Sequence, residues 1–260
     1  MLIKMTYILY SAGTSVTGRA LAQGLGISGG TKPPAERLGV LIRWGSTEKV
    51  PLTPRLVLNR ANAIALATDK IGSLETLRKQ GLCVPEIISL TQAQAAKGLI
   101  KLPALGRKRH HTQGQDIILC MQSKDVQRCI ARGDSDYFVV YIPTRREYRV
   151  HVFNNKILKV NQKLLKDGNA WVPFIRNIDN GYVFGQPRKP LTLDQEQLAI
   201  KSVRALGLDF GAVDMVLADD SKSYVLEVNT GPALETETNL SLYIQAFKKV
   251  LDGVGGLLVQ

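Results

Sequence analysis

The sequence predicts a mixed α/β (α+β) protein, and three stretches carry that prediction. The chain opens with an apolar run, a loop of small residues and a helical stripe. Its middle is crowded with short strand runs, and its last third sets a capped helix, two apolar strands and a closing helix in order. The opening strand is Thr6–Tyr10, followed by the loop SAGTSVTG and helical periodicity over 16–25. The next strand covers 39–44, and the Gly- and Pro-rich 28–38 is read as a loop, so residues 1–65 predict a small open α/β lobe.

Two helices are expected over 56–68 and 72–80, with Asp69-Lys70 between them and Gly81 as the terminator. After Pro85, strand runs at 99–105, 116–121, 137–142, 147–153 and 156–165 predict an antiparallel sheet. Asn154-Asn155 is its clearest turn, because Asn tolerates positive φ. Thr192 and Gln195 form a capping-box pattern that opens a helix running to Leu206, where Gly207 stops it. Strands at 211–217 and 223–228 and a helix over 239–251 complete the chain.

With 260 residues, 45% of them hydrophobic, the chain can bury a core of one compact enzyme or of two to three joined lobes. No stretch approaches the roughly 18 consecutive apolar residues of a membrane span, so no membrane partner is expected and the cytoplasm is the default compartment. Cys83, Cys120 and Cys129 are odd in number and lack metal-site spacing, which excludes a disulfide framework and a zinc site as readings. Lys and Arg number 34 against 22 acids, a net charge of +12 that suits an anionic ligand, an acidic protein or a nucleic acid. The densest basic cluster, RKRHH at 107–111, has no interleaved aromatics and reads as a solvated or phosphate-facing loop rather than a nucleic-acid platform.

The residues that point to chemistry are Asp214 on one predicted strand and Glu227 and Asn229 on the next. Glu227 and Asn229 are two apart and face the same side, and a hairpin brings Asp214 to them. Three oxygen donors on apolar strands suit a hard cation such as magnesium, which would relieve their burial. The alternative is an exposed hairpin carrying ordinary acids.

The run LGLDFGAVDMVLADDSKSYVLEVNTGPALE resembles the C-terminal signature of the ATP-grasp superfamily, and in particular the ribosomal-protein glutamate ligase-like carboxylate–amine ligases. Its loop Thr230-Gly-Pro-Ala-Leu-Glu departs from the family order of Ser, Pro and Gly. The resemblance implies two α+β lobes gripping ATP, at 66–136 and 137–260, the second holding the metal site. It implies that Asp214, Glu227 and Asn229 bind one or two magnesium ions, with manganese as the alternative. Val140, Tyr141 and Ile142 would form the adenine hinge and Glu147 would reach the ribose. Lys70 and Arg107 would contact phosphate under a loop containing Gly114, and Arg149, Arg176 and Lys163 would act on the transferring group. His110 and His111 are candidate ligands or catalytic groups that a polar loop explains equally well.

The resemblance thus implies an ATP-dependent ligase that makes an amide or peptide bond through an acyl phosphate. Its substrates would be a small-molecule or peptide carboxylate and an amine. Ser11, Thr14, Arg19, Arg43 and Asn59 are candidate substrate contacts from the first lobe. The competing expectations are a non-catalytic nucleotide-binding regulator and a protein that binds nucleic acid or modifies a nucleobase.

Overall fold

The computed structural model describes residues 6–109, 117–166, 176, 180–234 and 236–257, and its strands form three sheets. The first has the order β2-β1-β3-β4, from β1 (Thr6–Tyr10), β2 (Ser28–Gly30), β3 (Val40–Trp44) and β4 (Leu56–Leu58). All its pairings are parallel, so neighbours need crossovers, and α1 (Ser15–Leu25) makes the one from β1 to β2. Two expectations change here. Part of the predicted loop, Ser28–Gly30, pairs along the edge of β1. The predicted helix over 56–68 begins as β4, and α2 (Ala61–Thr68) starts only after Asn59, whose φ is 60°. Leu56-Val57-Leu58 suits either state by periodicity; the open edge of β3 decides it.

The second sheet is antiparallel, in the order β5-β8-β6-β7, from β5 (Ile87–Ser89), β6 (Ala104–Arg107), β7 (Ile118–Cys120) and β8 (Tyr137–Val140). The predicted strand at 99–105 shifts to Ala104–Arg107, since Pro103 cannot donate to a ladder. α4 (Leu90–Ala95) and α5 (Ser123–Arg132), neither of them anticipated, pack Ala93, Val126 and Cys129 against Ile88, Cys120 and Phe138 of this sheet.

The third sheet is antiparallel in the order β11-β10-β9-β12-β13, from β9 (Thr144–Phe153), β10 (Lys156–Leu165), β11 (Tyr182–Gly185), β12 (Phe210–Ala218) and β13 (Ser223–Asn229). The expected single middle sheet is therefore two: the chain leaves the small sheet at Val140 and enters the large one at Thr144. Asn154 and Asn155, at φ 45° and 60°, make the predicted turn between β9 and β10. α3 (Lys70–Lys79) and α6 (Leu193–Ala205) end at Gly81 and Gly207, both at positive φ as expected.

Alternation divides the large sheet. Tyr148, Val150, Val152, Val213, Met215 and Val225 face α2, α3 and α6. On the other face Phe153 and Phe210 pack with Trp44 of β3 and with Tyr243 and Phe247 of α7 (Glu237–Leu257). Trp44 stacks on Phe210 at 5.4 Å and meets Tyr243 edge-on at 5.1 Å. Among the described residues no helix is long and apolar enough to cross a membrane.

Asn59 ties the first lobe to this sheet. Its side chain is fully buried, donates to the Phe210 carbonyl at 3.0 Å and accepts from the amides of Asp209 at 2.8 Å and Phe210 at 3.2 Å. Replacing Asn59 with Ala strands those backbone groups and strains the left-handed backbone. A loss of about 3 kcal/mol in denaturant-measured stability is expected; an unchanged unfolding midpoint would contradict it.

Candidate functional site

The half of the large sheet's second face that the aromatic cluster leaves open carries a run of charged and polar side chains. Asp214 of β12 lies opposite Arg149 of β9 on one side and Glu227 of β13 on the other. Arg149 donates to both carboxylate oxygens of Asp214, from Nε and Nη2, each at 2.7 Å. Asn229 Nδ2 donates to Glu227 Oε1 at 3.0 Å and Asp214 Oδ2 at 3.3 Å. Lys70 of α3 forms an ion pair with Glu227 from 157 residues away. Asp69 caps that helix by accepting from the Ile71 amide, so Lys70 occupies the first turn. A cation there adds to the positive end of the helix dipole, an arrangement suited to an anion.

The facing of Glu227 depends on a bulge. The β12–β13 register passes from Asp214↔Glu227 to Met215↔Val225, leaving Leu226 unpaired. Val225 and Glu227 would otherwise share a face; the extra residue turns Val225 into the helical core and Glu227 into the cluster.

Burial works against ionisation of Glu227, but Lys70, Asn229 and Arg149 outweigh it and hold the carboxyl below its usual range. Glu147, two residues before Arg149 and only 9% exposed, behaves oppositely: burial raises it, although Lys163 of β10 pairs with it. His151 is buried behind Arg149, with Nδ1 3.2 Å from the Tyr243 hydroxyl and Nε2 3.5 Å from Asn161 Nδ2. Burial, with Arg149 and Lys159 adding, pulls its pKa down to about 4.

The structure thus brings together Asp214, Glu227, Asn229, Arg149 and Lys70, with Glu147 and Lys163 beside them. Arg107 ends β6 next to Tyr137; Arg107 Nε and the Tyr137 hydroxyl are buried without a partner among the described residues. At the link between the sheets, Val140 donates to the Glu86 carbonyl and Tyr141 to that of Pro103, both at 2.9 Å, while the Ile142 carbonyl accepts from the Thr144 hydroxyl. Arg176 is not brought to the Asp214 cluster. It donates to the Thr144 carbonyl at 2.5 Å, about 16 Å of strand from Arg149 at ~3.3 Å per residue. Gly114, His110 and His111 lie outside the described residues.

The first lobe gives a mixed account. Asn59 is consumed in the tie described above. Arg43 is buried and donates to the carbonyls of Ser46 at 3.1 Å and Glu48 at 2.7 Å. Thr14 donates to the Trp44 carbonyl at 2.8 Å, while Ser11 contacts Thr14 and the exposed Arg19 bonds back to Ser15. A cavity of about 290 Å³ opens here, lined by Gly13, Thr14, Val16, Thr17, Gly231, Ala233 and Leu234. Among the described residues no three His, Cys, Asp or Glu side chains gather as a metal site, so a cation set in the cluster needs the Asn229 amide as its third donor. Sequence reasoning missed Phe184 of β11, whose ring lies under Arg149 and Lys163, and the His151–Asn161 pair; only their alternation with the charged positions signalled them.

Three sheets with this cluster on an open face make an ATP-grasp fold. A RimK domain ATP-grasp protein from Sphaerobacter thermophilus DSM 20745 shares it at TM-score 0.65 and 16% identity, covering 93% of this chain and 98% of that one. The chain belongs to the RimK-like ATP-grasp domain family, whose model matches residues 67–254. A probable alpha-L-glutamate ligase of Haemophilus influenzae (strain PittEE) is 29% identical over 190 residues, covering 68% of this chain. A ribosomal protein bS6–L-glutamate ligase of Escherichia coli O7:K1 (strain IAI39 / ExPEC) is 28% identical over 188 residues, also covering 68% of this chain. The chain spans 60% of the length of each of these two relatives. The nucleic-acid alternative finds no support in these names.

His151 makes stability depend on pH. In the fold it stays neutral down to about pH 4, while in the unfolded chain it protonates near 6.5, so stability falls as pH drops between those values. The full effect is about 3 kcal/mol. A His151→Gln variant should lose correspondingly less stability between pH 7 and pH 4 in urea titrations. Parallel pH profiles for the two proteins would contradict this.

Proposed function

We propose that the chain is an ATP-dependent carboxylate–amine ligase that forms an amide bond through an acyl phosphate. The carrying observation is the cluster itself. Two carboxylates and an amide share one sheet face, with Lys70 and Arg149 neutralising them, inside a RimK-like ATP-grasp domain.

Magnesium, as one or two ions held by Asp214, Glu227 and the Asn229 amide oxygen, would neutralise phosphate charge there, an all-oxygen set being what it favours. Asn229 now turns its nitrogen to the carboxylates, and half a turn of its terminal torsion presents the oxygen. The adenine lies along 140–142, with Glu147 toward the ribose. Lys70 and Arg107 grip the phosphates, and the unpartnered Arg107 Nε is free to serve as a donor. Arg176, beside Thr144, serves the nucleotide end rather than the transferring group.

A carboxylate oxygen of the substrate attacks the γ-phosphorus; the new P–O bond forms as the bond to ADP breaks. The neutral amine then attacks the acyl carbon and phosphate leaves, the amine proton passing to solvent. Arg149, with Lys163 beside it, stabilises charge on the phosphoryl oxygens and on the tetrahedral intermediate. The relatives' names favour an amino acid such as glutamate as the amine and a peptide or protein carboxylate as its acceptor.

Incubation with ATP, magnesium and a panel of amino acids and peptides should release phosphate and give a product mass equal to the condensed pair. Glu227→Gln and Asp214→Asn should each lower turnover by about 10³-fold or more, with a folded protein by circular dichroism. Full activity in both variants would overturn the assignment.

A further inference from the structure

We propose that Phe184 is a positioning residue that keeps the Arg149 guanidinium and the Lys163 ammonium aimed at the transferring phosphoryl group; this rests on the ligase reading above. Phe184 lies opposite Lys163 in the β10–β11 ladder, so both side chains rise from the same face. The Arg149 Cζ is 4.5 Å from the ring centroid and the Lys163 Nζ 5.6 Å from it. One ring thus serves two cations on neighbouring strands. It belongs to none of the four hydrophobic clusters formed by the described residues, although every other Phe near this sheet face, Phe153, Phe210 and Phe247, does. Its neighbours are cations rather than core, and a ring face is where a cation is attracted.

The need for such a brace follows from what the carboxylates must do. Arg149 is now set by its two bonds to Asp214, and Lys163 by its pair with Glu147. In the working site Asp214 turns its oxygens to a divalent cation and Glu147 turns to the ribose, so both anchors loosen at the moment the cations are needed. The ring cannot be titrated, does not ligate metal and is not displaced by phosphate. It is the contact that survives the change. It also offsets the repulsion between two like charges sharing so small a space.

Phe184→Leu keeps apolar bulk and removes the π face; Phe184→Tyr keeps the face. In Phe184→Leu, kcat should fall about tenfold with the ATP KM within about twofold of wild type, and Phe184→Tyr should recover kcat to within about twofold. A second readout needs neither metal nor turnover. In ¹⁵N-edited NMR of the free protein the Arg149 Nε–H signal, assigned by its loss in Arg149→Lys, should be displaced upfield by the ring. It should move in Phe184→Leu and hold in Phe184→Tyr. An unmoved signal, an unaltered kcat in Phe184→Leu, or equal losses in both variants would overturn the proposal. A wild type with no turnover removes the ligase reading and this proposal together, whereas an active wild type beside an equally active Phe184→Leu removes this proposal alone.

Discussion

Two carboxylates set side by side in a largely buried face have to be neutralised, and the rest of the structure answers that requirement. Asp214 and Glu227 are cross-strand neighbours, so each raises the cost of the other's charge. Their counterions come from elsewhere in the chain: Arg149 from the central strand of the sheet and Lys70 from a helix in the first third. The cluster cannot exist until α3 has docked on β13 and β9 has paired with β12. Site and tertiary fold are one event, and an ion pair spanning 157 residues is its record.

The same face also explains how the sheet serves two masters. At one end of β9 and β12, Phe153 and Phe210 close against Trp44, Tyr243 and Phe247, giving the first lobe a stiff seat. At the other end Glu147, Arg149 and Asp214 stay clear of apolar cover. His151 stands at the border, its ring bonded to Tyr243 on the apolar side and to Asn161 on the polar side. A neutral imidazole fits there because it adds no charge beside Arg149.

Much of this arrangement was legible in the sequence where local rules decide. The alternation of Glu227 and Asn229, the Asn154-Asn155 turn, the Gly81 and Gly207 stops and the Thr192 capping box all depend on residues within a few positions of one another. What was illegible depends on distant partners. Leu56–Leu58 became a strand because β3 had an open edge, and Asn59 and Arg43 proved committed to backbone carbonyls that the sequence does not announce. The bulge at Leu226 has no marker residue, and Phe184 looks like any strand aromatic until two cations meet above it. Arg176 matched by order along the chain but not by depth along β9.

The loop that follows Asn229 runs against the end of β3 with no slack: a methyl on Gly231 would meet Thr14 Cγ2 at 2.8 Å and the main chain of Gly45 and Trp44 at 3.1 Å. Gly13, on the facing side of the same cavity, has nothing within 4 Å of where its methyl would sit. One wall is therefore main chain pressed on main chain, which does not swing between rotamers, and the other has vacant volume. Such a recess sorts occupants by excluding bulk rather than by adapting to it, and its bore is free to narrow from the Gly13 side alone.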